Sequence, residues 1–397
     1  MGVHVIETMA VEGYRSLREL VLPLGRLTVV TGANGTGKSG VYRALRLLAE
    51  CALGGAVGAV AREGGLRSTL WAGPEHGTRR RGAGAQGTVR SRPVALRLGF
   101  ASLDELGYAV DLGLPQDGGS AFLLDPEIKV ETIWSGPVLR PATTLAERRG
   151  PSVRVRDDEG SWQPVGGRLR PYDSMLSEVV DPTGAPEIVA MRERLRGWRF
   201  YDHLRTDADA PARQVRVGTR TTALAHDGGD LAAALETARD AGRGDEIDEY
   251  VDRAFPGARA VVRAHDGRFA LELHRASLLR PLEAAELSDG TLRYLLWVAA
   301  LLTPRPPELL VLNEPETSLH PQVLGALAQL VRRAARDAQV VVVTHSEELA
   351  DALREDARDG LASRDVHDVQ LVLEDGETVV AGREGPLDQP AWHWPSR

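Results

Sequence analysis

The chain has 397 residues, a formal charge of −8 and one cysteine, Cys51. That length exceeds the roughly 100–200 residues of an ordinary domain, so two lobes or one large domain with insertions is expected. The acidic balance argues against a protein coated in nucleic acid, while a lone cysteine excludes an internal disulfide and a cysteine-rich metal site.

The N-terminus shows no basic region followed by an apolar core, so no secretory signal is expected. The longest apolar stretch, Tyr294 to Leu302, is far short of a membrane span. A cytoplasmic location follows as the expectation. Residues 3–31 read as strands with a turn, ending in the β-branched run Thr28-Val29-Val30-Thr31. Gly40 to Glu50 reads as a helix, with Val41, Ala44, Leu45 and Leu48 on one face. Cys51 to Arg97 is rich in Gly, Ala and Arg and reads as long loops. Arg97 to Ile133 and Val153 to Val165 read as short strands between turn signals, an antiparallel β arm inserted in the first lobe. Glu187 to Trp198 reads as a helix, and the polar stretch Asp202 to Arg220 as a lobe junction.

Further on, Asp230 to Arg239 reads as a helix, and Ala260 to Leu273 as a hairpin turning at Asp266-Gly267. A helix follows around Leu292 to Ala299. Leu309 to Leu312 and Val340 to Val343 are short continuous apolar runs, as expected of strands covered on both faces. Leu324 to Val331 is helical between them, and Val369 to Ala381 closes the chain as a hairpin around Asp375-Gly376. No internal repeat or sustained heptad occurs, so no long coiled-coil arm is expected. The expected division is 1–215 for an N-terminal lobe and 216–397 for a C-terminal one.

Four segments carry chemistry. Gly32-Ala33-Asn34-Gly35-Thr36-Gly37-Lys38-Ser39 matches G-x-x-x-x-G-K-[ST] in full, between an expected strand and an expected helix. Its glycines let backbone N–H groups wrap phosphates, Lys38 neutralises the β and γ oxygens, and Ser39 offers a hydroxyl to Mg²⁺. Asn313 and Glu314 follow a buried strand. The first suits a metal-bound water and the second can polarise the attacking water as general base. Asn313 is neutral where most P-loop enzymes carry Asp, which weakens the expected hold on Mg²⁺. His345 follows the valine run and Thr344. Alone it reads as a capped structural residue; beside the other segments it suits a hydrogen bond to the γ-phosphate. Ser288-Asp289-Gly290 precedes a helix, where Ser288 is an N-cap or, with the same geometry, faces the γ-phosphate of a second subunit.

Together these segments resemble the stand-alone, RecF-like branch of the ABC-type ATPases, related to SMC heads and to the ATPase half of overcoming-lysogenization nucleases. Leu287 to Thr291 resembles their signature, Asn313 to Pro321 their metal strand and D-loop, and Thr344-His345-Ser346 their switch. Glu12 to Leu17 resembles their early nucleotide-touching loop, which implies that Arg15 and Ser16 contact nucleotide. Looser similarity covers Phe200 to Arg213, Glu286 to Leu302 and the closing Pro390 to Pro395. The implied fold is an α/β P-loop ATPase head with a mixed sheet core, an antiparallel β subdomain and a helical signature lobe.

The resemblance implies an ATPase that uses ATP and Mg²⁺ and closes as a head-to-tail homodimer, in DNA repair or chromosome maintenance. The implied nucleotide contacts are Arg15, Ser16, Gly32, Asn34, Gly35, Thr36, Gly37, Lys38, Ser39, Ser288 and Gly290. Lys38, Glu314 and His345 carry the chemistry, and Ser39 and Asn313 the metal. The alternative is an ATP-gated sensor controlling a separate effector nuclease in antiphage defence. A transporter motor fits the signature and D-loop least. No glutamine loop can be placed among Gln86, Gln163 and Gln214. About 50 residues follow His345, too few for an appended nuclease domain. DNA is a candidate partner through Arg79-Arg80-Arg81 and the arginines at 192, 194, 196 and 199, although arginine-rich helices are usually solvated faces.

Overall fold

The computed structural model describes residues 5–74, 93–115, 121–202, 204–355, 361, 365–383 and 388–397. Arg79-Arg80-Arg81 and Gln86 lie outside the described residues. The chain forms two compact units, one of residues 26–29 and 199–367, the other of residues 4–25, 30–198 and 368–397. The strand Leu27–Gly32 starts in the first and ends in the second.

The second unit is built on an eight-stranded antiparallel sheet. Its order is Leu17–Pro23, Thr8–Tyr14, Leu96–Ala101, Leu106–Gly113, Glu127–Ser135, Thr144–Arg149, Ser152–Arg156 and Trp162–Pro164. The expected β arm therefore continues the N-terminal hairpin, because Thr8–Tyr14 pairs with both Leu17–Pro23 and Leu96–Ala101. Glu131 and Arg148 form a fully buried ion pair inside this sheet. Tyr108 OH and the Met175 N–H also donate to Glu131, so the carboxylate is satisfied where desolvation would otherwise be costly. The helix Lys38–Ala52 buries Val41, Ala44, Leu45 and Leu48 as its spacing predicts. The expected loop after Cys51 instead holds the helices Ala56–Arg62 and Leu66–Thr69. The glycines at 54, 55, 58, 64 and 65 mask them, although Ala56, Ala59 and Val60 bury one helical face. The arginine-rich helix Pro186–Gly197 is tied down: Arg194 donates to Leu106 O at 2.8 Å and Arg196 to Glu193 at 3.1 Å.

In the first unit the strands Arg199–Tyr201, Leu309–Asn313 and Gln339–Val343 run parallel, side by side. Val340 N–H donates to Arg26 O at 2.9 Å, leading into Leu27–Gly32. The strand interiors are almost wholly buried beneath the helices Asp289–Leu301, Pro321–Ala334 and Glu347–Arg354. The expected hairpin is Ala258–His265 with Arg268–Arg275, turning through left-handed Asp266 and Gly267. The closing hairpin, Val366–Glu374 with Glu377–Val380, belongs to the second unit from residue 368 onward and turns the same way at Asp375-Gly376. No helix among the described residues is long and apolar enough to cross a membrane.

Candidate functional site

The glycine-rich loop lies in the second unit, between the end of Leu27–Gly32 and the N-terminus of Lys38–Ala52. Gly32, Gly35 and Gly37 have φ of 150°, 83° and 92°, a region that disfavours side chains. A Cβ on Gly32 would collide with Leu371 O, and one on Gly37 with the hydroxyls of Thr378 and Ser16. Lys38 is buried, and its ammonium donates to Gly32 O at 2.6 Å and Ala33 O at 2.9 Å. An ammonium has three donors, so one remains for an anion's oxygen. The helix has no side-chain cap and no acidic residue in its first turn, which leaves its N–H groups and dipole to an anion. These donors fit the phosphates of a nucleotide. Asn34 and Gly35 are exposed at the loop's tip, Thr36 binds Ala33 O within the loop, and Ser39 sits half-buried in the helix's first turn.

Arg15 and Ser16 are in the same unit. Arg15 is left-handed at φ 49°, and its guanidinium is engaged by Glu63 at 2.7 and 3.1 Å. Tyr14 OH also donates to Glu63; burial, then that carboxylate, raises the phenol's pKa well above its usual value. Ser16 Oγ accepts from Thr378 Oγ1 at 2.8 Å, and Thr378 N–H donates to Ser16 O at 2.9 Å. Glu63 and Thr378 are contacts that sequence reasoning did not find.

In the first unit, Asn313, Glu314 and His345 sit at the carboxyl ends of neighbouring parallel strands, Asn313 opposite Val343. Asn313 Oδ1 is buried without a hydrogen-bond partner, as suits an acceptor reserved for a metal or its water. Glu314 is left-handed at φ 50°, its N–H bound to Val343 O at 2.7 Å and its carboxylate partly exposed. His345 Nδ1 lies 3.9 Å from Glu314 and 3.2 Å from Glu316. Glu316 is the buried member of this group. Its Oε1 accepts from Thr344 Oγ1 at 2.6 Å, His345 N–H at 3.0 Å and Ser346 N–H at 3.2 Å. The hydrogen bonds fix the backbone that carries His345. Glu316 lies within the stretch Asn313 to Pro321, where nothing local in the sequence marks this supporting role.

Ser288 caps the helix Asp289–Leu301, accepting from Thr291 N–H at 3.2 Å. A Cβ on Gly290 would stand 2.9 Å from Ser318 O, so the signature turn packs closely on the loop after Glu314. Ser318 itself is left-handed at φ 64°. Arg213 holds the turn from beneath: it donates to Thr206 O at 2.7 Å, Leu287 O at 2.7 Å and Asp289 Oδ1 at 2.8 Å. Upstream, the Arg280 hydrogen bond holds the Glu286 carboxyl down at about 2. Of the glutamine candidates, Gln163 is tied to Asp157 on the sheet's edge strand, and Gln214 lies 3.5 Å from Arg216.

Residues 184–351 match the family model described as "AAA domain, putative AbiEii toxin, Type IV TA system". No curated protein matches the sequence. Among solved structures, an SMC head bound to the C-terminal winged-helix domain of ScpA is 13% identical, with 95% of this chain and 97% of that one covered and a TM-score of 0.49. An SMC head with an extended coiled coil, bound to the C-terminal domain of ScpA and derived from Pyrococcus furiosus, gives 13%, 95% of each chain and 0.49. The SMC head domain from Thermotoga maritima gives 12%, 95% of this chain, 98% of that one and 0.41. With a glycine-rich loop at a helix N-terminus and an AAA-domain model matched over residues 184–351, this α/β chain is similar over that span to AAA-domain proteins.

Proposed function

We propose that the protein binds ATP on Gly32 to Ser39 and hydrolyses it with Glu314 as general base. The carrying observation is the buried Lys38 ammonium, set among loop carbonyls at the mouth of an uncapped helix. Lys38 and the loop N–H groups hold the phosphate oxygens, and Thr36 and Gly37 shape the cradle. Ser16 supports that cradle through Thr378, and Arg15 flanks it with Glu63 as its anchor. The Ser39 hydroxyl and the Asn313 amide oxygen are assigned to Mg²⁺, which supplies positive charge to the phosphates when bound. Glu314 accepts a proton from the attacking water, and His345 donates to the γ-phosphate while Glu316 keeps it in place. Ser288 and Gly290 serve the nucleotide of a second copy in an ATP-closed homodimer. DNA repair or chromosome maintenance is the proposed setting.

A second reading, an ATP-gated sensor for a separate effector in antiphage defence, draws support from the toxin–antitoxin wording of the matched model. ATPase assays with and without single-stranded, duplex and branched DNA test the first reading. Stimulation by DNA supports it. Hydrolysis indifferent to every DNA form, with a co-purifying effector, favours the second.

A further inference from the structure

The far end of the eight-stranded sheet carries a feature unrelated to ATP chemistry. Two hollows of about 420 and 500 Å³ share Glu147, Arg149, Arg154 and Trp162, so they form one groove across the last three strands. The turn at 139–141 and the closing residues 393–396 wall the first hollow. Strand alternation sets the lining. Arg154 lies opposite Glu147, and Arg156 opposite Trp162, on one face of the sheet.

The groove is cationic and aromatic within an acidic chain. Arg140, Arg149, Arg154 and Arg156 face one carboxylate, Glu147. Glu147 is nearly buried, and one of its oxygens pairs with both Arg149, at 3.1 Å, and Arg154, which gathers the two guanidinium groups on one carboxylate. Arg140 is exposed and makes no ion pair among the described residues. Arg156 donates to Pro141 O at 3.0 Å, and its buried Nε has no partner. The Arg154 and Arg156 guanidinium groups lie 4.5 and 5.1 Å from the Trp162 ring centroid. Trp394 adds a second ring at the groove's wall, edge-on to Trp392 at 5.2 Å.

We propose that this groove binds a short stretch of single-stranded nucleic acid. Planar rings and planar cations in alternation suit unstacked bases, and the net positive charge suits the phosphates that join them. An acidic peptide would use the charges but not the aromatic rings.

The test is fluorescence anisotropy of the full-length, nucleotide-free protein with labelled oligo-dT and oligo-rU of about 12 nucleotides, a matching duplex and a poly-glutamate peptide. Both single strands, or either one, should bind more tightly than duplex or peptide, and the two arms separate DNA from RNA. The double variant Arg154→Gln, Arg156→Gln should lose about 10-fold and flatten the slope of log affinity against log salt by about 1.4, at about 0.7 per phosphate contact. Trp162→Ala should lose about 10-fold, Trp162→Phe should recover most of it, and Trp162→Leu, which refills the volume without a π face, should not. Lys38→Ala should bind the strand as wild type does, so the groove is tested apart from ATP chemistry. Wild-type affinity and slope in the double variant would overturn the proposal, as would peptide or duplex binding equal to that of the single strands.

Discussion

Glu316→Ala removes the buried carboxylate beneath His345. Glu316 Oε1 accepts three hydrogen bonds, from Thr344 Oγ1, His345 N–H and Ser346 N–H. Ser346 N–H retains Thr344 Oγ1 at 3.0 Å, so truncation strands chiefly the Thr344 hydroxyl and the His345 N–H. At roughly 1–3 kcal/mol for each donor left unsatisfied, the cost is about 3 kcal/mol. Glu316→Gln keeps one acceptor but puts an N–H₂ group at Oε2, which is buried without a partner, and should cost about 1 kcal/mol. Urea unfolding followed by tryptophan fluorescence reads both values. Hydrolysis separates support of His345 from bulk stability. Measured well below the unfolding transition, both variants should turn over ATP about 10-fold more slowly. Their ATP affinity should be unchanged, because Lys38 and its loop are untouched. Wild-type turnover in Glu316→Ala, or a stability loss below about 0.5 kcal/mol, would refute the support role.

Lys38→Ala should weaken ATP binding by about 100-fold, since the charged donor of the loop is lost; calorimetry with unchanged affinity would rule it out. Glu314→Gln should bind ATP normally, hydrolyse it about 100-fold more slowly and accumulate as a closed dimer, as read by single-turnover assays and light scattering. Ser288→Arg should leave ATP binding intact and block ATP-dependent dimerisation; equal dimer formation in light scattering counts against a signature acting in trans. Asn313→Asp should lower the Mg²⁺ midpoint of ATPase activity, because a full charge replaces an amide dipole. An unmoved midpoint places Asn313 outside the metal's coordination sphere.

The phosphate loop was legible because its chemistry demands glycine at fixed spacing, and that demand is local. Lys38 at the helix start, Gly37 before it and the buried strand ahead of both follow from a few residues. The parallel strands ending at Asn313 and Val343 were legible for the same reason, as continuous apolar runs. The supporting contacts were not. Thr378 meets Ser16 across 362 positions, Arg213 meets Asp289 across 76, and Glu63 meets Arg15 across 48. No periodicity links such partners; only the finished fold brings them together. Glycine also misled where it was frequent: residues 51–69 carry helical faces under a loop-like composition. The return of residues 368–397 to the unit of residues 30–198 left no mark in the sequence either.

The stretch from Asn313 to Glu316 departs from local preference three times within four residues. Asn313 keeps a buried acceptor unpaired, and Glu316 keeps another. Between them Glu314 adopts φ 50° directly before a proline, a conformation that costs on the order of 1 kcal/mol or more in a residue with a side chain. Glycine at 314 would relieve that strain, and apolar residues at 313 and 316 would remove the orphaned acceptors. A stretch selected only to end a strand would therefore be built differently. The departures cluster at the carboxyl end of Leu309–Asn313, beside His345 at the end of the neighbouring strand. Local cost concentrated at one point, within strands that otherwise obey every rule of burial, is the pattern expected where side chains are held for chemistry rather than for packing.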